Sequence, residues 1–183
     1  MSAALAFVPP RTLEEFLDWV PLQEERFEWD GVQPVAMVGG TANHSELASR
    51  IYDALRPRLR GGPCRVFRSD LGIRTEAGSR IRYPDLLVTC SPVKGSALAV
   101  SEPTFILEVL SDSSAAIDRG VKRAEYSALP SLSRYVMLVQ DAPIALVCAR
   151  SEGFAERREE AVLDLPEFGL TLPLAELYAG LLD

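Results

Sequence analysis

The chain has 183 residues, 48% of them apolar, with 26 acidic against 19 basic side chains and a formal net charge of −7. That length and apolar content suit one domain with a substantial core. No apolar run reaches the roughly 20 residues of a membrane span, and the acidity argues against a broad nucleic-acid-binding surface.

The first ten residues lack the basic start and long apolar core of a signal peptide, so a cytoplasmic protein is expected. Thr12 to Trp19 reads as a short helix, with Thr12 and Glu15 as a capping box and Leu13, Phe16, Leu17 and Val20 as its apolar stripe. Phe27 to Trp29, the Asp30-Gly31 turn and Val32 to Met37 read as a hairpin, and Pro34 puts its second strand at a sheet edge. A helix is expected from Asn43 to Leu59, with Leu47, Ile51 and Leu55 on one face and Gly61-Gly62 as the stop. His44 lies in line with that stripe, where a packed or capping role competes with a catalytic one.

Arg65 to Ile73, a turn over 76–79 and Ile81 to Val88 predict a second hairpin, followed by a loop over Pro92 to Glu102. From Arg50 to Arg82 nine arginines face three acids, Asp53, Asp70 and Glu76. Such a segment can follow a phosphate backbone, or it can be a solvated surface whose charges meet acids elsewhere.

The strand-length runs Tyr83 to Val88 and Pro103 to Ser111 each carry one carboxylate, Asp85 and Glu108. An ionised carboxylate in an apolar strand is costly unless it is paired, hydrogen-bonded or bound to a metal. On neighbouring strands the two can converge as hard oxygen ligands for Mg²⁺. Taken singly, Asp85 also reads as a strand-end cap and Glu108 as half of a buried ion pair. The unalternating Phe105 to Leu110 predicts a central strand covered on both faces.

A helix follows from about Ile117 to Leu129, with Asp118, Lys122, Glu125 and Tyr126 on one side. Lysine occurs only at positions 94 and 122, against 17 arginines, and an ammonium can lose a proton where guanidinium does not. The other reading of Lys122 is an exposed i, i+4 ion pair with Asp118. Tyr135 to Val139 and Ile144 to Ala149 read as strands, Phe154 to Leu170 holds further short ones, and Leu172 to Leu182 reads as a terminal helix. Cys64, Cys90 and Cys148 lie far apart, which excludes a Cys-x-x-Cys zinc site and predicts reduced, buried thiols; with His44 as the single histidine, a histidine-built metal centre is excluded too.

Phe27-Glu28-Trp29-Asp30-Gly31, Asn43-His44-Ser45, Tyr83-Pro84-Asp85, Leu107 to Ser111, Asp118 to Tyr126 and Ser133 to Val139 together give the chain its family likeness. In that order they resemble the Uma-type restriction endonucleases, a bacterial branch of the PD-(D/E)XK nuclease superfamily. The resemblance implies a mixed α/β (α+β) fold, a restriction-endonuclease-like core with a central mixed β-sheet flanked by α-helices. It also implies a Mg²⁺- or Mn²⁺-dependent DNA endonuclease working as a homodimer. Asp85, Glu108 and the Val109 carbonyl would hold the metal, Lys122 would act on the attacking water or the phosphorane, Glu28 would support the site, and His44 matches a histidine near the family's active site. In the usual superfamily pattern the lysine stands two residues after the glutamate, a place taken here by Leu110, and the resemblance moves that role to Lys122. Two other classes remain: a nucleic-acid-binding or assembly module of the same fold without chemistry, and a phosphodiesterase for a smaller substrate.

Overall fold

The computed structural model describes residues 9–111 and 114–182; the N-terminal segment on which the signal-peptide expectation bears, residues 1–8, lies outside them. After α1 (Leu13–Trp19) come a hairpin of β1 (Phe27–Trp29) and β2 (Pro34–Ala36), then α2 (Ala42–Leu59). Strands β3 (Arg65–Arg68), β4 (Gly72–Thr75), β5 (Arg80–Arg82), β6 (Leu86–Thr89), β7 (Ala99–Val100) and β8 (Phe105–Leu110) follow. A helical segment is built from α3 (Ala115–Ile117), a π-helical turn (Asp118–Lys122) and α4 (Arg123–Ser127). The chain closes with β9 (Arg134–Val139), β10 (Ala145–Ala149), β11 (Glu156–Glu159), β12 (Val162–Leu165), β13 (Leu170–Pro173) and α5 (Leu174–Leu177).

The central sheet has the order β11-β10-β9-β8-β6-β3, with β8 and β9 parallel and the other neighbours antiparallel. Every residue of β8 is buried, as its unalternating sequence predicts. Phe105, Leu107 and Val109 pack with Leu47, Ile51 and Leu55 of α2 and with Leu174 of α5. Ile106 and Leu110 face the other way, toward Tyr126, Leu129 and Leu132. Helices therefore cover both faces of a mixed sheet. A second sheet, β2-β1-β5-β4-β7, closes over Phe16, Trp29 and Ile81, with β2 and its Pro34 at the edge.

Four expectations need correction. The second hairpin is divided between the two sheets: β4 pairs β5 in one, β3 pairs β6 in the other, and the register slips by one residue between Ile73↔Arg82 and Arg68↔Leu86. An extra residue of this kind bends a strand as a bulge does. Gly72 makes the bend possible, since a Cβ there would lie 2.9 Å from Ile81 Cγ2 and 3.1 Å from Tyr83 Cε1. The Pro92 to Glu102 loop contains β7, which pairs in parallel with β4. The terminal helix spans only Leu174–Leu177, because Leu172 belongs to the β12/β13 hairpin. Finally, Cys64 and Cys90 are joined in a disulfide just beyond the Arg65↔Thr89 pair, both half-buried, while Cys148 is free and buried as expected.

Candidate active site

The bend in the divided hairpin is where the carboxylates meet. Asp85 stands at the corner after Pro84, and the Leu86↔Leu107 pairing sets it opposite Glu108. Its backbone N–H donates to Glu108 Oε2 (3.2 Å), and its own Oδ2 accepts the Val109 N–H (2.7 Å). Val109 thus turns its peptide edge toward Asp85, and in an extended strand the N–H and carbonyl of one residue share an edge.

Glu108 is buried, and its Oε1 accepts from Lys122 Nζ (3.0 Å) and Tyr126 Oη (3.2 Å). Burial, reinforced by the charges of Asp85, Asp118 and Glu28 and opposed by Lys122, pushes its pKa up to about 8. Lys122 is reached through the π-helical turn, in which the Arg123 N–H returns to the Asp118 carbonyl. Its Nζ also lies 3.2 Å from Asp118 Oδ1 and 3.3 Å from Glu28 Oε1. Burial alone would lower the Lys122 pKa, but the fields of Glu108, Glu28 and Asp118 together raise it well above the ordinary lysine value. The three acids thus favour the protonated form of Lys122. The i, i+4 pair with Asp118 exists, but it is buried where the sequence suggested an exposed face.

Glu28 comes from β1 and is held by Arg82 Nη1 (3.0 Å) and the Tyr83 N–H (3.2 Å). Arg82 is gripped in turn by Glu125, whose carboxylate also takes Arg80 Nη1 (2.5 Å) and Thr75 Oγ1 (3.2 Å). His44 neither caps nor packs in the way its stripe position suggests. Thr41 caps the helix, accepting the His44 N–H, and the imidazole Nε2 sits 3.1 Å from Asp85 Oδ2. That contact raises the histidine pKa against the opposing effect of burial, with the Val109 backbone adding to it. Gly40 lets the preceding loop pass over the ring, for a Cβ there would stand 2.7 Å from Nδ1.

Glu28, His44, Asp85, Glu108, Asp118 and Lys122 all open onto one cleft of about 840 Å³. Asp118, Tyr126 and the Arg82–Glu125 pair were not singled out by sequence reasoning. The i, i+4 and i+7/i+8 spacing around Lys122 hints at Asp118, Glu125 and Tyr126, and no local pattern hints at Arg82.

Among the described residues no three His, Cys, Asp or Glu side chains form a ready metal cage. The oxygen set available is Asp85, Glu108 and the Val109 carbonyl, which suits a hard divalent cation that keeps several waters. Two observations support the fit. Three carboxylates, Glu28, Glu108 and Asp118, share the buried Lys122 ammonium, and Arg82, which Glu28 also meets, is already claimed by Glu125, so acids outnumber cations around the cleft. Burial first, and then the neighbouring acids, raise the Glu108 pKa, and Asp118 Oδ1, though 3.2 Å from Lys122 Nζ, makes no well-aligned hydrogen bond among the described residues.

Known proteins share this framework. An uncharacterized protein of Synechocystis sp., slr1290, is 32% identical over 178 residues, covering 94% of each chain. A second from the same organism, sll1609, is 28% identical over 132 residues, covering 70% of this chain and 75% of its own. The crystal structure of a protein from Anabaena variabilis, titled a putative nuclease belonging to DUF820, superposes with a TM-score of 0.77 at 18% identity over 94% of this chain and all of the other. That likeness carries the restriction-endonuclease-like fold. The model of the Uma2 family, described as "Putative restriction endonuclease", matches residues 13–178, and on that match over most of its length the chain belongs to the Uma2 family.

Proposed function

We propose that this protein is a Mg²⁺- or Mn²⁺-dependent DNA endonuclease that hydrolyses phosphodiester bonds at the Asp85/Glu108/Lys122 cleft, works in the cytoplasm, and acts as a homodimer to cut both strands. The observation that carries this reading is the convergence of Lys122 on Glu108 beside Asp85, from three separate elements, in a chain of this family. Asp85, Glu108 and the Val109 carbonyl would hold the divalent cation, which would supply shielding of phosphate charge and activation of water.

The chain's own residues supply the remainder. Lys122, kept protonated by Glu28, Asp118 and Glu108, stabilises the charge that gathers on the phosphorane oxygens. Glu28 and Asp118 position the ammonium, and His44 fixes the Asp85 carboxylate through Oδ2. Tyr126 fixes the rotamer of Glu108 from below.

Incubation of the purified protein with supercoiled plasmid in Mg²⁺ or Mn²⁺ tests the reading. Metal-dependent nicking or linearisation that stops in EDTA is expected, with sedimentation giving a dimer. Intact plasmid under every metal condition contradicts the endonuclease.

A further inference from the structure

Within the arginine-rich stretch, two sets of arginines differ in three dimensions, with Arg65 stacked separately on Phe67 at 4.8 Å. Arg50 is tied to Glu46 (2.9 Å) and to the Leu177 and Ala179 carbonyls, Arg58 to the Gly169 carbonyl, and Arg80 and Arg82 to Glu125. These residues hold the fold together. Arg56 and Arg68, by contrast, form no ion pair among the described residues. Both sit against one ring, Tyr52, with their guanidinium carbons 6.0 and 4.4 Å from its centroid.

The difference matters chemically. A carboxylate partner consumes guanidinium donors and cancels the charge, whereas an aromatic face steadies the plane and leaves the N–H edge and the charge available. A planar fork held in this way suits a phosphate.

The position of the pair gives it a purpose. Arg68 lies on β3 directly across from Leu86, the residue after Asp85, and it lines the mouth of the catalytic cleft. On the facing helix, Ser45, Ser49, Tyr52 and Arg56 follow one another at i, i+4, i+7 and i+11, so they share one face of α2. Ser45 and Ser49 line the cleft as well. The groove of the cleft lined by Ser45, Ser49 and Arg68 is thus continued along the same face of α2 by Tyr52 and Arg56, with the small hydroxyl residues next to the carboxylates. From Ser45 to Arg56 it runs about 16 Å along the helix axis, or about five nucleotides of one strand at 3.4 Å each.

We infer that this groove binds the phosphates of the nucleic-acid strand flanking the scissile bond, with Arg68 and Arg56 as the phosphate donors and Tyr52 as the ring that orients them. The inference rests on the nuclease reading of the cleft and sharpens it, because it makes the substrate a polynucleotide and not a small phosphodiester. It also explains how an acidic protein takes an anionic polymer: the cations are concentrated along one path instead of spread over the surface.

The test is fluorescence anisotropy of a labelled duplex oligonucleotide with the Asp85→Asn protein in EDTA, titrated at several salt concentrations. Added to that background, Arg56→Ala with Arg68→Ala is expected to weaken binding at least about tenfold and to reduce the salt slope by about two. The charge-matched pair Arg157→Ala with Arg158→Ala, on the exposed β11 edge, is expected to stay within about twofold of the parent. Melting temperatures confirm that each protein is folded. An unchanged affinity and slope in the Arg56/Arg68 variant, or an equal loss in the β11 variant, overturns the groove. Plasmid cleavage by the wild-type protein reports on the nuclease reading separately: cleavage with no effect of Arg56 and Arg68 removes the groove alone, and absence of both cleavage and oligonucleotide binding removes both.

Discussion

Lys122 carries three buried carboxylates, and that number decides its behaviour. A single acid beside a buried lysine would compete on even terms with desolvation; three outweigh it and hold the proton in place. Lys122→Met leaves Glu108 and Asp118 without a cation and Glu28 with Arg82 alone, so it is expected to reduce DNA cleavage by roughly 10²- to 10³-fold. The same change is expected to destabilise the metal-free protein by about 3–5 kcal/mol, an effect measurable by urea unfolding in EDTA and relieved when Mg²⁺ is added. Glu125 behaves in the opposite sense. Burial would raise its pKa, but hydrogen bonds and charge from Arg82 and Arg80 outweigh it and lower the pKa below the ordinary 4.5. A carboxylate depressed in the folded state gives stability that is present above the unfolded value and lost as pH falls through the folded one, since the unfolded chain takes up the proton first. Thermal melts from pH 7 to pH 3 are therefore expected to show a fall below about pH 4.5 that Glu125→Gln flattens, while that variant is already less stable at pH 7. A parallel fall in both proteins would contradict the role given to Glu125.

Among the elements, the divided hairpin places the site. The slip in register at Gly72 and the corner at Pro84 send β5 into one sheet and β6 into the other, leaving Asp85 at the junction. The Cys64–Cys90 bridge, with a sequence separation of 26, closes the far end of the β3/β6 pair. Reduction is expected to lower stability by about 2–4 kcal/mol, measured as the shift in urea midpoint with and without dithiothreitol; no shift would mean that the strands need no bridge. The loop before α2 makes its own contribution. Gly40→Val forces a Cβ into the imidazole of His44, so cleavage is expected to fall at least about tenfold with little change in melting temperature, and an unaffected rate would show that His44 does not position Asp85.

At the scale of the whole molecule, what the sequence revealed depended on how local the signal was. Glu108 on β8 and Asp85 just before β6 were legible because a carboxylate in an apolar run stands out, and the edge position of β2 was legible because proline cannot donate to a ladder. The Asp118–Lys122 spacing is the same for an exposed ion pair as for a buried one, so only the packing of the π-helical turn against β8 distinguishes them. Arg82 and Glu125 stand 43 residues apart, and no local pattern announces their pairing. The disulfide was missed for a similar reason: it depends on the register of two strands whose joint bend is itself a tertiary feature. The net charge of −7 is likewise a sum over the whole chain, and it does not show where the carboxylates of the cleft or the arginines around Tyr52 gather.

The central claim is that Asp85, Glu108 and Lys122 form one hydrolytic site. Cleavage of supercoiled plasmid in Mg²⁺ by wild-type, Asp85→Asn, Glu108→Gln and Lys122→Met proteins, each checked for folding, tests it most directly. Metal-dependent cleavage by the wild type and a loss of roughly 10²-fold or more in every variant are expected. Wild-type cleavage that survives in the folded Asp85→Asn or Glu108→Gln protein would contradict it.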